Sequence, residues 1–323
     1  MKNLALGSFV LALAAPATTV CAQDAWPAKP VGIIVANPAG SSPDIITRMM
    51  ADRLSKASGQ SFIVDLRPGG QGIVGASAAV RSAPDGYTLF LGTNASMVMN
   101  RFLLKDFPYE PERDFVFAAN VVDGAAFTIA VNAGVPVKNF PGLVTHAKAS
   151  AGKLSVAIPS INAEILARWF NHQTGMNAPL VPYKEMSQSI QDTVAGRVEV
   201  IVASHPSIKP QVDAGKLRII AVSSAKRFPD LPDVPTLDEH YPGLVFAGWW
   251  SLVAPTGVAQ PILQRLNREV ERVLKEPAFV ERVRSFGFTN GEPMTPKELA
   301  DRARAERVLW ERVLVKELGF KPM

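Results

Sequence analysis

Cysteine is nearly absent. The 323-residue chain has one, Cys21, so no intrachain disulfide framework can hold it together. Histidine is scarce too: the four, His146, His172, His205 and His240, are scattered without ligand spacing, which argues against a dedicated zinc site. No H-E-x-x-H and no G-x-S-x-G occurs, so the usual metalloprotease and hydrolase signatures are missing. The formal charge is +5, but the basic residues are mixed with acidic ones and form no block. The clustered patch that a nucleic-acid partner requires is therefore lacking. Beyond the N-terminus no run reaches ~18 apolar residues, the length that spans a bilayer. What is present is ordinary for a globular chain, with 47% hydrophobic and 20% charged residues. At ~150 residues per domain, this length suggests about two domains.

The first 22 residues read as an export signal. Lys2 is followed by an apolar stretch from Leu4 to Ala15 and by Val20-Cys21-Ala22, with small residues suited to cleavage after Ala22. Lipidation of Cys21 is the rival reading, and Val20 before it fits a lipobox poorly. Cleavage leaves a cysteine-free chain, expected to be exported and not inserted in the membrane.

Beyond that segment, short apolar runs alternate with amphipathic ones. Strands are expected at Val31 to Val35, Ser61 to Val64, Tyr87 to Leu91, Phe127 to Val131, Leu154 to Ile158, Glu199 to Ala203 and Arg218 to Val222. Helices from about Asp44 to Ala57 and around Ala76 to Arg81 separate the first of these. The alternation predicts an α/β fold with mostly parallel sheets. Near the end, Gln260 to Lys275 places Leu263, Leu266, Val270 and Leu274 on one helical face. Thr295-Pro296-Lys297-Glu298 is a capping box opening a last helix that buries Leu299, Ala303, Trp310 and Leu314.

The best chemical candidate is Ala36-Asn37-Pro38-Ala39-Gly40-Ser41-Ser42-Pro43-Asp44, between a strand and a helix. Such a loop aims free N–H groups and the positive end of a helix at one point, which suits an anion. The plain alternative is a βα turn with Asp44 as its cap. Asp44 would repel a carboxylate unless it is occupied in capping the helix or orienting water. Gly70-Gln71-Gly72-Ile73-Val74-Gly75 matches G-x-G-x-x-G, but the next strand ends in Leu91-Gly92-Thr93-Asn94 without the acidic ribose partner of a dinucleotide fold. The glycines are read as turn and packing residues. His205, after the apolar run Val200 to Ala203, occupies a strand end where α/β folds place ligand contacts. Trp249 and Trp250 could stack on a ring or fill a core; packing is the default for at least one.

Several motifs then stand together. Arg67-Pro68-Gly69-Gly70-Gln71-Gly72-Ile73-Val74-Gly75 is followed by Ala83-Pro84-Asp85-Gly86-Tyr87-Thr88-Leu89, Val181-Pro182-Tyr183-Lys184, Ala214-Gly215-Lys216-Leu217-Arg218 and Leu231-Pro232-Asp233-Val234-Pro235-Thr236. In this order and spacing, across the chain beyond the signal, they resemble the Bug family of extracytoplasmic solute-binding proteins of the tripartite tricarboxylate transporter. The resemblance implies a two-lobe periplasmic-binding-protein fold of type II, with two crossing strands as a hinge near Ala119 to Val131 and Val245 to Ala254. Lobe 1 is expected to comprise residues 23–124 and 248–323, and lobe 2 residues 125–247. The last helices are expected to return to lobe 1. The implied activity is capture of a small organic carboxylate, with no cofactor and no metal, for delivery to membrane subunits of the transporter. A monomer in the periplasm is expected.

Against the family pattern, Asn37 stands where Phe is usual, and Ser41-Ser42-Pro43 stands where Gly-Gly-Thr is usual. The loop at Ile158 to Asn162 is shorter and lacks a histidine, and Ala203-Ser204 replaces an Asp-Asn pair. These changes suggest an aromatic or less highly charged acid such as terephthalate. The expected ligand-binding residues are Asn37, Gly40, Ser41, Ser42, Asp44, Thr93 and Asn94 from the first lobe, and Ser160, Asn162, Tyr183, Ser204 and His205 from the second. Two rival functions stay open. One is a secreted enzyme using His205 with Ser204 or Tyr183; the other is a sensor that docks to a receptor instead of a permease.

Overall fold

The computed structural model describes residues 26–150 and 154–322. The expected signal, Cys21 included, lies outside the described residues. The chain begins with β1 (Val31–Val35), α1 (Ser42–Ser58), β2 (Phe62–Leu66), α2 (Ile73–Val80) and β3 (Thr88–Thr93). A π-helical turn, Ala95–Met99, runs into α3 (Asn100–Leu103), and α4 (Pro111–Asp114) leads to the long β4 (Phe115–Ala126). Then follow β5 (Thr128–Asn132), α5 (Phe140–Ala149), β6 (Val156–Ile158), α6 (Ile161–Thr174), β7 (Leu180–Pro182), α7 (Met186–Val194), β8 (Val200–Ala203), α8 (His205–Asp213) and β9 (Leu217–Val222). The chain closes with β10 (Ala247–Pro255), α9 (Gln260–Leu274), α10 (Pro277–Ser285), β11 (Thr289–Asn290), α11 (Pro296–Trp310) and a second π-helical turn, Glu311–Glu317.

These strands form two sheets, in the orders β11-β4-β10-β3-β1-β2 and β7-β6-β8-β5-β9. β1 is parallel to β2 and β3, and β6 is parallel to β7 and β8. The strands that carry the chain between the sheets are antiparallel to their neighbours. β4 leaves the first sheet and continues past Phe127 into β5, which pairs antiparallel with β8 and β9. β10 returns between β3 and β4, antiparallel to both. The two-sheet, two-crossing architecture that the resemblance implies is what the chain adopts, but the sheets are mixed and not mostly parallel as the strand–helix alternation suggests, because both crossing strands pair antiparallel. At the crossing, Phe127 N–H donates to Ser223 Oγ at 2.9 Å, and Ser223 Oγ donates to Phe246 O at 2.6 Å.

Side-chain periodicity explains the layers. In β1 the alternate residues Val31, Ile33 and Val35 join Ile46, Met50 and Leu54 of α1, while Ile34 points to the other face with Ala76 and Ala79 of α2. An interior parallel strand buried on both faces reads as a continuous apolar run, as Val-Gly-Ile-Ile-Val does. α11 starts with the expected capping box: Thr295 Oγ1 accepts from Glu298 N–H, and the Glu298 carboxylate accepts from Thr295 N–H at 2.8 Å. Leu299, Ala303, Trp310 and Leu314 are all buried.

The course of α11 refines the expectation that the last helices pack on the first lobe. It begins against β4 and α9 of the first sheet, but its final residue, Trp310, crosses to the layer of the second. The Trp310 ring lies edge-on to Trp169 of α6 at 5.6 Å and to Phe246 at 5.1 Å. Both members of the tryptophan pair are buried, Trp250 against Phe288 at 5.0 Å and Trp249 beneath the Arg302 guanidinium at 4.7 Å.

Candidate functional site

In both sheets each parallel strand hands the chain to a helix, so helix N-termini gather at the strand C-terminal ends. α1, α2, the turn at Ala95 and α6 all begin there. Unpaired N–H groups and the positive end of the dipole make such a place receptive to negative charge. A cavity of about 430 Å³ occupies this position. Its walls come from the β1–α1 loop (Asn37, Pro38), the β2–α2 loop (Gly69, Gln71, Gly72), β3 and its following turn (Thr93, Ser96, Asn100), and the first residues of α6 (Ile161, Asn162). Phe90, Leu91, Met99 and Leu103 supply the apolar remainder. None of the lining residues is ionisable.

Three larger cavities lie elsewhere, one of them, of about 570 Å³, an open hollow lined by Ala133 to Lys138 and Arg218. A second, of about 590 Å³, is a groove between β4, α9 and α11, and the third, of about 560 Å³, lies behind the crossing strands beside Trp249 and Glu306. None of the three sits at the C-terminal ends of parallel strands, where α/β sheets place their ligands. The smaller cavity, walled by both sheets' layers, is the better candidate.

The polar groups around it are held in place. Thr93 and Ser96 knot together, with Thr93 N–H donating to Ser96 Oγ at 3.0 Å and Ser96 N–H to Thr93 Oγ1 at 3.2 Å. The buried Tyr109 hydroxyl donates to Ser96 O at 2.8 Å, and burial pushes its phenol well above the ordinary range. Gln71 takes φ 54° and ψ 33°, a left-handed conformation that costs a non-glycine residue roughly 1–2 kcal/mol. Asn100 Nδ2 holds the Gln71 carbonyl at 2.9 Å. Gly75 is needed for close packing: a Cβ there would come within 2.9 Å of Ala36 Cβ.

Of the expected ligand residues, Asn37, Thr93 and Asn162 meet at this cavity. Ser160 adjoins it as N-cap of α6, its Oγ accepting from Ala163 N–H at 3.2 Å. Gly40, Ser41, Ser42 and Asp44 lie one step back and brace the loop. Asp44, 4% exposed, accepts from Gly40 N–H at 2.8 Å and from Arg48 Nε at 2.6 Å, while Ser41 Oγ donates to Pro38 O at 2.6 Å. Ser41, and not Asp44, is the N-cap of α1, and the Asp44 carboxylate is engaged by the loop's Gly40 N–H and by Arg48 of α1. Asn94 turns away, its Nδ2 lying 3.6 Å from Met99 Sδ.

The remaining three stand apart from the cavity wall. The Tyr183 hydroxyl donates to Asp192 at 3.0 Å, and Ser204 Oγ lies 2.6 Å from Ser207 Oγ. His205 borders a crevice of about 10 Å³ with Phe288 and Thr289, and burial, helped by Lys209, lowers its pKa. Neither hydroxyl meets the imidazole, so no nucleophile–base pair forms.

Gln71, Ser96 and Asn100 are cavity residues that the sequence reading passed over. The signal for Ser96 and Asn100 was their polarity inside the apolar run Ala95 to Leu104. Gln71 sits inside a glycine-rich motif whose spacing predicts only a turn.

The family model of the tripartite tricarboxylate transporter family receptor matches residues 46–320. Protein BugT of Bordetella pertussis is 31% identical, the match covering 99% of this chain and 98% of that protein. Among solved structures, an R. palustris protein with adipate is 30% identical with a TM-score of 0.75, covering 92% of this chain and 100% of the other. MatC from Rhodopseudomonas palustris, with bound malate, is 25% identical with a TM-score of 0.68, covering 89% and 99%. The fold, the cavity at the strand ends and a match over most of the chain agree, and the chain belongs to the tripartite tricarboxylate transporter receptor family, whose members are solute-binding receptors and not enzymes.

Proposed function

We propose that this chain is a periplasmic receptor that captures a small organic carboxylate between two lobes and delivers it to a transporter in the membrane. The lobes comprise residues 23–124 with 248–323, and residues 125–247, hinged where β4 runs into β5 and where β10 returns. The observation that carries the reading is the composition of the 430 Å³ cavity: helix N-termini and neutral amides and hydroxyls from both sheets' layers, with no ionisable lining. A carboxylate there exchanges its hydration shell for fixed dipoles, and closure of one lobe on the other excludes water. The R. palustris relatives solved with adipate and with malate support a carboxylate ligand. No helix among the described residues is long and apolar enough to cross a membrane, which accords with a receptor outside it.

Within that class, the apolar wall formed by Phe90, Leu91, Met99, Leu103 and Ile161 favours a ligand with a flat or aliphatic body, terephthalate being the specific candidate. The protein is expected to bind as a monomer. A thermal-shift screen against citrate, succinate, malate, adipate, benzoate, phthalate and terephthalate tests both levels, since a ligand that binds only the folded state raises the melting temperature. A shift with a ring acid supports the specific reading. A shift with aliphatic acids alone keeps the class and removes terephthalate, and no shift with any acid overturns the carboxylate reading.

A further inference from the structure

The loop between β2 and α2 is left-handed over four consecutive residues, with φ of 129° at Gly69, 55° at Gly70, 54° at Gln71 and 97° at Gly72. Three of the four are glycine, the residue that adopts such backbone freely. The exception carries a long side chain, and it lines the cavity. Gln71 is exposed and not packed into the core, so burial does not explain its presence. Its carbonyl is clamped by Asn100 Nδ2, and Asn100 is 2% exposed, a buried amide committed to holding this one peptide.

Building on the carboxylate reading, we propose that the side-chain amide of Gln71 contacts the ligand and sets which acid is bound. A left-handed stretch made otherwise of glycine has no structural need of a glutamine, and strained backbone of this kind gathers at ligand sites. Besides Asn100, three side-chain amides come to the cavity from three separate places: Asn37 after β1, Gln71 after β2 and Asn162 in the first turn of α6. Each offers an N–H donor and a carbonyl acceptor, so each can meet a carboxylate oxygen or a hydroxyl. Gln71 has the longest reach of the three, by one methylene. The ligand class it selects is a small acid with a carboxylate or hydroxyl at the end nearest the β2–α2 loop.

The test is titration calorimetry of the full chain with adipate, malate, succinate, citrate, benzoate and terephthalate, for wild type, Gln71→Gly, Gln71→Asn and Gln71→Glu. Melting temperatures without ligand are measured alongside. Gly and Asn both accept left-handed backbone, so these variants fold. Gln71→Gly is expected to melt at the same or higher temperature, to bind the best wild-type acid at least tenfold more weakly, and to change the rank order of the acids. Gln71→Asn falls between, and Gln71→Glu is weakest because it sets a second carboxylate beside the ligand's. If wild type binds an acid and Gln71→Gly matches it within twofold with the same rank order, the role of Gln71 is overturned while the receptor reading stands. If wild type binds none of the acids, the receptor reading itself fails and takes this inference with it.

Discussion

Trp249, on the strand that returns from the second sheet, donates its indole N–H to Glu306 Oε1 of the C-terminal helix at 2.8 Å. Nearby on the same helix Arg302 pairs with Asp123 of the outgoing strand at 2.7 Å. One helix thus holds both crossing strands through polar contacts. Glu306 as a whole is half-buried, but its second carboxylate oxygen is sealed without a hydrogen-bond partner.

That burial raises the Glu306 pKa to about 7, against the opposing effects of the Trp249 hydrogen bond and the Arg302 charge. An acid whose pKa is raised on folding binds more protons folded than unfolded. Its contribution to stability is therefore lost as pH rises from the ordinary carboxylate range towards 7, and the cost is fully present above that. At ~1.4 kcal/mol per unit of pKa, the penalty at pH 8 is on the order of a few kcal/mol. Glu306→Gln keeps an acceptor for Trp249 and removes the charge. Urea midpoints measured from pH 5 to pH 8 are expected to fall for wild type and to change less for the variant, which is the more stable at pH 8. Parallel curves would show that the carboxylate is not held protonated.

Asp44 sets the loop that carries Asn37. Asp44→Ala frees the Gly40 N–H and leaves Arg48 without its partner, at a cost of about 1–3 kcal/mol for the broken bonds. Ligand affinity is expected to fall as well, because Pro38 and Asn37 lose their brace. A denaturation curve and a binding isotherm on the same sample check the two effects, and an unchanged isotherm would mean that the loop holds its shape alone.

Asn162 reaches the cavity from the second sheet's layer and is not part of a packed core. Asn162→Ala is expected to weaken the best acid of the panel about tenfold, the loss of one hydrogen bond to a charged group, without lowering the melting temperature. A variant that binds as well as wild type would remove Asn162 from the site.

Tyr109 steadies the wall from behind. Tyr109→Phe keeps the ring tilted against Phe107 and edge-on to Phe115 and removes the hydroxyl that serves Ser96 O. Stability is expected to drop by about 1–2 kcal/mol, with a smaller change in affinity than for Asn162→Ala. Equal stability would show that water replaces the phenol.

The Trp310 ring fills the space between Trp169 and Phe246. Trp310→Ala is expected to cost about 3–5 kcal/mol. It also loosens the hold of the last helix on the second sheet's layer, so small-angle scattering without ligand is expected to show a more extended molecule. An unchanged scattering curve with lowered stability would confine Trp310 to packing.

Local signals made much of this fold legible. Val31 to Val35 could be delimited to the residue because an unbroken apolar run between prolines and a polar loop has one reading. The Thr295 capping box is encoded within four residues, and both of its hydrogen bonds form. Partnerships across the chain were less visible. Nothing near Tyr183 in the motif shows that its hydroxyl is engaged by Asp192, and nothing near Asn100 shows that its amide will serve a carbonyl at position 71. The role of Gln71 depends on backbone handedness, which a sequence of glycines permits without dictating.

A cavity walled by dipoles instead of fixed charges has a consequence for the medium in which it works. Mobile ions screen separated charges over ~8 Å at physiological ionic strength, but they cannot intervene between a carboxylate and amides in direct contact with it. Affinity in this site is expected to be nearly flat in salt. A receptor built this way would hold its solute in dilute and in saline surroundings alike.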